Sequence, residues 1–110
     1  QGILQSRIYI IDSKEGRELY NIETGSYPLD MMFLSADKLL VAYVNGLVLY
    51  DVKNQSQIRE LSFDGYSLKA VEKKGSYIAV SYGGNGRANT TVALLSLDLS
   101  QKAIFNIDDI

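Results

Sequence analysis

The chain has 110 residues, of which 46% are hydrophobic and 22% charged, so it can bury the core of one small domain and is not disordered by composition. It contains no cysteine and no histidine, which excludes a disulfide framework, a thiol nucleophile and the commonest general base. The net charge is −2, the longest basic run is Lys73-Lys74, and no apolar run reaches the length of about 18 residues that a membrane helix needs; neither a nucleic-acid partner nor a membrane span is predicted.

Ten β-strands are predicted along the chain from β-branched and aromatic residues between polar turns. In order, the predicted strands are Ile8–Asp12, Glu18–Ile22, Leu29–Leu34, Leu39–Tyr43, Leu47–Asp51, Ile58–Phe63, Leu68–Glu72, Tyr77–Tyr82, Thr91–Asp98 and Ala103–Ile107. Asn45-Gly46 is typical of a two-residue hairpin in which both residues take positive φ. The segment from Leu47 to Leu49 is apolar without interruption, which predicts a strand covered on both faces.

One order of strands and turns occurs twice, in Leu29–Asp51 and in Leu68–Asp98. Each copy ends its third strand with an aspartate, and a shorter first copy ends at Asp12, so the aspartate recurs at positions 12, 51 and 98. A constant offset between the two full copies aligns Val41 with Ala79, and the longer second step between aspartates is assigned to a hairpin insertion at Gly83–Thr90. A repeat of about 40 residues with several strands is typical of a β-propeller.

Two segments carry a resemblance to a known superfamily. The segment Phe33–Lys38 (FLSADK) is similar to the F-S-P-D-G-K turn of WD repeats, and Leu47–Val52 (LVLYDV) is similar to the strand that ends in Trp-Asp. On these residues the chain resembles the WD-repeat-like β-propeller superfamily. It departs from the pattern because it has no tryptophan and no Gly-His dipeptide, so the hydrogen-bonded tetrad of WD repeats is absent.

The resemblance implies an all-β fold of consecutive four-stranded antiparallel blades that belong to a larger ring. Residues 1–27 would end one blade, and residues 28–65 and 66–110 would form two full blades. A blade buries its faces only against neighbouring blades, and a run of two or three leaves both ends open. We therefore expect a protein partner or the remaining blades of the same propeller to cover the two ends.

Three residues are candidates for contact with a partner. Tyr27 and Tyr66 precede the first strand of a blade, and the resemblance implies that these loops line the face where propellers bind ligands. Tyrosine is enriched at interface hot spots, although packing between blades is the alternative. Arg87 ends the glycine-rich segment Gly83–Arg87, whose backbone amides could hold an anion, although a flexible hairpin insertion is the simpler interpretation.

Structural roles are predicted for the repeated aspartates and for most of the tyrosines. Asp12, Asp51 and Asp98 occupy equivalent repeat positions, so each is expected to end a strand and bind turn amides rather than a metal. A further set of tyrosines lies in predicted strands and is assigned to packing. They are Tyr9, Tyr43, Tyr50, Tyr77 and Tyr82. No catalytic residue, metal ligand or cofactor is predicted.

Two functions fit these features. The first is a non-enzymatic protein–protein interaction scaffold, in which the chain is part of a propeller domain of a multi-subunit assembly. The lack of histidine and cysteine and the resemblance favour it. The alternative is a propeller enzyme with a central metal or cofactor site, whose catalytic residues would lie outside this chain.

Overall fold

The computed structural model describes residues 6–24, 27–63, 66–84 and 90–107. These residues form β-strands and connecting turns. They contain no helix, and therefore no helix long and apolar enough to cross a membrane. The ten strands are β1 Ser6–Ile11, β2 Glu18–Thr24, β3 Asp30–Phe33, β4 Lys38–Tyr43, β5 Gly46–Asp51, β6 Ser56–Ser62, β7 Tyr66–Lys74, β8 Tyr77–Gly84, β9 Thr90–Ser96 and β10 Gln101–Ile107. All ten predicted strands are present, with ends that differ by a few residues.

The strands form three sheets in which every pair of neighbours is consecutive and antiparallel. The first sheet contains β1 and β2, the second contains β3 to β6, and the third contains β7 to β10. Consecutive antiparallel pairing follows from the short turns, because a tight hairpin can join only antiparallel strands. The predicted all-β fold of consecutive antiparallel strands is confirmed, and the described sheets do not close a ring.

The second sheet packs between the other two. Leu39 and Val41 on one of its faces pack with Ile8 of the first sheet. Leu40 and Leu49 on the other face pack with apolar residues of the third sheet. Strand residues alternate between faces, so an uninterrupted apolar run supplies both cores. The run from Leu47 to Leu49 is buried throughout, as predicted.

The three hairpins that join the last two strands of each sheet share one backbone pattern. In each of the three pairings, β1 with β2, β5 with β6 and β9 with β10, one residue near the turn has no partner in the opposite strand. The unpaired residues are Leu19, Ile58 and Lys102, respectively. The turn before each of these positions contains one residue with positive φ. These residues are Gly16, Gln55 and Leu99, with φ of 68°, 55° and 69°. A β-bulge and a left-handed turn residue thus recur in all three sheets.

This pattern corrects the alignment of the third aspartate. The amide of Leu99 donates to the carbonyl oxygen of Ser96, as the amide of Gly16 donates to that of Asp12. Ser96, not Asp98, therefore occupies the position of Asp12 and Asp51. The third hairpin has one residue fewer between the end of the strand and the left-handed residue, so its aspartate lies inside the turn. Because β9 ends at Ser96, Asp98 does not end a strand.

The alignment of Val41 with Ala79 is also wrong, by one residue. Val41 faces the preceding sheet, which is the first. If every sheet turns the same face to the sheet before it, the counterpart of Val41 in the third sheet must face the second sheet. Val80 does so and is 1% exposed, whereas Ala79 points to the opposite face. Val80 is therefore the counterpart of Val41, and the same spacing separates Asp12 from Asp51. A slip of one residue moves every side chain of a strand to the other face.

The hairpin between β4 and β5 forms one residue earlier than predicted. Tyr43 pairs with Gly46, which leaves Val44 and Asn45 as the two turn residues. Neither Asn45 nor Gly46 has a positive φ, so the predicted turn conformation is wrong. The carbonyl oxygen of Asn45 instead accepts the amide of Phe63, 2.8 Å away, and this bond to the next connection helps to hold the turn.

Candidate binding surfaces

The connections between sheets meet the β4–β5 hairpin at one end of the molecule, here called the connection end. The amide of Leu29, before β3, donates to the carbonyl oxygen of Ala42 over 2.8 Å. The amide of Leu68 in β7 donates to the carbonyl oxygen of Val44 over 2.7 Å. These hydrogen bonds place the entries to both four-stranded sheets beside the same turn.

Two of the three predicted contact residues belong to the connection end. Tyr27 is 76% exposed and lies two residues before Leu29, whose amide donates to the carbonyl oxygen of Ala42 at this end. The backbone of Tyr66 begins β7 and pairs with Gly84, at the same end of the third sheet. Arg87 lies outside the described residues. Contact of these residues with a partner stays a prediction.

The assignment of the strand tyrosines to packing is correct for three of the five. Tyr43 is buried, and its hydroxyl lies 3.2 Å from that of the half-buried Tyr50; burial first, and then this hydrogen bond, raise the pKa of Tyr43. The ring of Tyr82 stacks on Phe63 with 4.5 Å between centroids. Tyr9 and Tyr77 are instead 56% and 48% exposed. They lie on the outward faces of the first and third sheets, which no described sheet covers.

The aspartates of the first two hairpins bind turn amides, as predicted. Oδ1 of Asp12 accepts the amides of Lys14 and Glu15 at 2.8 and 3.1 Å. Oδ1 of Asp51 accepts the amides of Lys53 and Asn54, both at 3.0 Å. The hydrogen bonds from Asn54 contribute most to lowering the pKa of Asp51. These carboxylates therefore cap their turns, which is the structural role that the sequence predicts.

Asp98 has a related role with different partners. Its Oδ1 accepts the hydroxyl of Ser96 and, at 3.0 Å, the amide of Ser100. The bond from Ser96 is the largest cause of the lowered pKa of Asp98. Within the described part of the chain, no group of three or more carboxylate, histidine or cysteine side chains is arranged to hold a metal ion.

The outer face of the third sheet is a surface that the sequence analysis missed. It consists of residues on β8 and β9 that point away from the second sheet and are half-buried. These residues are Ala79, Ser81, Val92 and Leu94. Their counterparts in the second sheet are Leu40, Ala42, Leu47 and Leu49, all buried against the third sheet. Alternation along β8 and β9 could have identified this face, but only with the correct alignment of the repeats.

A groove lies between the first two sheets, at the end opposite the connection end. Its volume is about 690 Å³. Apolar residues of both sheets line it, including Ile11, Leu19, Phe33 and Val52, and the hairpin turns carry its charged rim. Ile11, Leu19 and Phe33 are each about half exposed, so the groove opens to solvent.

Comparison with known proteins finds no matching family model, no similar curated protein and no similar solved structure.

Proposed function

We propose that the chain is a non-enzymatic protein–protein interaction module whose sheets are consecutive blades of a WD-repeat-like β-propeller. The first sheet would end one blade, and residues 28–65 and 66–110 would form the next two. The observation that carries the proposal is the outer face of the third sheet, because the corresponding face of the second sheet is buried by the sheet that follows.

The order in which the three sheets cover one another supports a further β-sheet as the partner that covers the outer face of the third sheet. The first sheet covers one face of the second, and the second covers one face of the third. In each case, corresponding residues of a sheet point towards the sheet that follows it. A fourth sheet, from the same propeller or from a partner protein, would continue this order. Leu94 and Val92 would then lose solvent exposure as Leu49 and Leu47 do. Because both are already half-buried, each would contribute part of the roughly 1.5–3 kcal/mol that full burial of an aliphatic side chain supplies.

The connection end supplies the surface for a second partner. We assign the contacts there to Tyr27 and Tyr66, with support from the exposure of Tyr27. Arg87, outside the described residues, stays a predicted contact. Tyr27→Ala should weaken partner binding by about 1–2 kcal/mol and leave thermal stability unchanged, because the side chain packs little within the chain. Tyr27→Phe is the matched control and should retain most of the affinity. Equal partner affinity in the parent and in Tyr27→Ala would remove this residue from the interface.

A thiol-labelling experiment tests the covered face directly. The chain has no cysteine, so Leu94→Cys and Ile104→Cys each introduce a single reactive group. Leu94 lies on the outer face, whereas Ile104 is 47% exposed and lies on the opposite face of the same sheet. In the native assembly, labelling at position 94 should be at least about tenfold slower than at position 104. Equal rates would contradict the proposal.

The absence of enzymatic chemistry has its own test. Purified native protein should contain no stoichiometric metal ion or organic cofactor, measured by elemental analysis and mass spectrometry. One equivalent of either would contradict a purely scaffolding role and would favour a propeller enzyme with a central site.

A further inference from the structure

We infer that the groove between the first two sheets binds a short peptide segment by accepting one aliphatic side chain of leucine size. The inference does not depend on what covers the third sheet. It rests on a comparison of this groove with the corresponding position between the second and third sheets, where a leucine of the chain itself is buried.

The two interfaces differ at one turn residue. Leu99, the residue of positive φ in the third hairpin, is 1% exposed and packs in the core between the second and third sheets. Its counterpart in the second hairpin is Gln55, which also has a positive φ, is exposed and lines the groove. The interface between the first and second sheets therefore lacks the apolar turn side chain that the next interface contains. The groove lies where that apolar side chain would pack.

The lining of the groove suits an aliphatic group. Ile10, Ile11, Leu19, Phe33 and Val52 supply apolar surface from both sheets. Burial of such exposed apolar surface is the main source of affinity in small sites of this kind. A single leucine side chain anchored among these residues would reproduce the packing of Leu99 in the next interface.

The rim of the groove is balanced in charge. It carries Lys14 and Lys53 on equivalent turns, together with Asp12 and Asp37. Asp12 is already engaged by turn amides. Neither lysine forms an ion pair within the described residues. Because two positive and two negative groups face the groove, binding should depend on the apolar side chain and only weakly on salt.

The test uses a fluorescent peptide with the sequence of residues 95–101, LSLDLSQ, which contains the leucine at 99. Fluorescence anisotropy with the intact protein should show saturable binding that changes little with salt. A peptide with Leu99→Asp should bind at least about tenfold more weakly. Gln55→Leu should supply the missing side chain from within, abolish peptide binding and raise the melting temperature. Gln57→Leu, an exposed position on β6 outside the groove, is the matched control and should do neither.

Phe33→Ala provides a second variant, because this half-exposed side chain lines the groove and its loss should weaken binding without unfolding the protein. The inference is overturned if the peptide shows no saturable binding, if the Leu99→Asp peptide binds equally well, or if Gln55→Leu binds the peptide as the parent does. Unchanged binding by Phe33→Ala would place the bound peptide elsewhere and would also overturn it.

Discussion

Gly46 occupies a position where no larger residue fits without a shift of the backbone. A Cβ atom added there would lie 2.5 Å from the carbonyl oxygen of Leu61 in the neighbouring strand β6. The Asn45-Gly46 pair located a hairpin correctly from the sequence, but it suggested a positive φ as the reason for glycine. The actual reason is close approach of a strand that follows later in the chain, and local sequence carries no signal of that contact.

Gly46→Ala should destabilise the fold by roughly 1–3 kcal/mol, because β6 must move to relieve the clash. Gly75, in contrast, has a φ of 59° and open space around its Cβ position. Gly75→Ala should cost about 1 kcal/mol from backbone strain, and Gly75→Asn should recover part of this, since asparagine tolerates positive φ. Midpoints of urea unfolding measure the stability of these three variants against the parent. An unchanged midpoint for Gly46→Ala would contradict the close approach.

The hairpin turns show how far a repeat can be followed from sequence. Asp12 and Asp51 were placed correctly because the first two turns have the same length and the same hydrogen bonds. Asp98 was misaligned because the third turn is one residue shorter and uses Ser96 at the aspartate position. The sequence alone does not reveal where the third turn lacks a residue, because the residues of this turn differ from those of the other two. The backbone hydrogen bonds locate the missing residue directly.

Asp98 should make stability sensitive to acid. Its pKa in the folded chain lies below the ordinary value of 3.8, so its charged form stabilises the fold above that pH, and this stabilisation is lost as the pH falls below it. Melting temperatures of Asp98→Asn should therefore fall less between pH 5 and pH 2 than those of the parent. Ser96→Ala removes the main hydrogen bond to the carboxylate and should have the same effect in part. Parallel pH profiles for all three proteins would contradict this role.

The corrected alignment makes a prediction for two adjacent residues of β8. Val80 is buried between the second and third sheets, so Val80→Asp buries an unpaired charge and should cost about 3 kcal/mol or more. Ala79→Asp places the same charge on the outer face and should leave the isolated chain folded. Circular dichroism and thermal melting compare the two variants. Greater loss of stability in Ala79→Asp would restore Ala79 as the counterpart of Val41.

At the scale of the whole molecule, the strands and their order within each sheet were predictable, because apolar runs and polar turns specify them locally. The sense in which the sheets stack was not, since a slip of one residue in the repeat alignment exchanges the inner and outer faces of the third sheet. The groove was equally hidden, because it results from a difference between Gln55 and Leu99 that becomes meaningful only when both turns are superposed. Tyr27 shows the converse, because its place in a loop between predicted strands, together with the resemblance, pointed to a residue that is in fact exposed.

The central claim, that the outer face of the third sheet is an interaction surface, is tested most directly by light scattering on the isolated 110-residue chain. An uncovered apolar sheet face promotes association. The parent chain should form oligomers or aggregates that increase with concentration. Leu94→Asp on the outer face should suppress this association while a β-rich circular dichroism spectrum is retained, and Ile104→Asp on the opposite face should not. A parent chain that stays monomeric at all concentrations, or association unaffected by Leu94→Asp, would contradict the account.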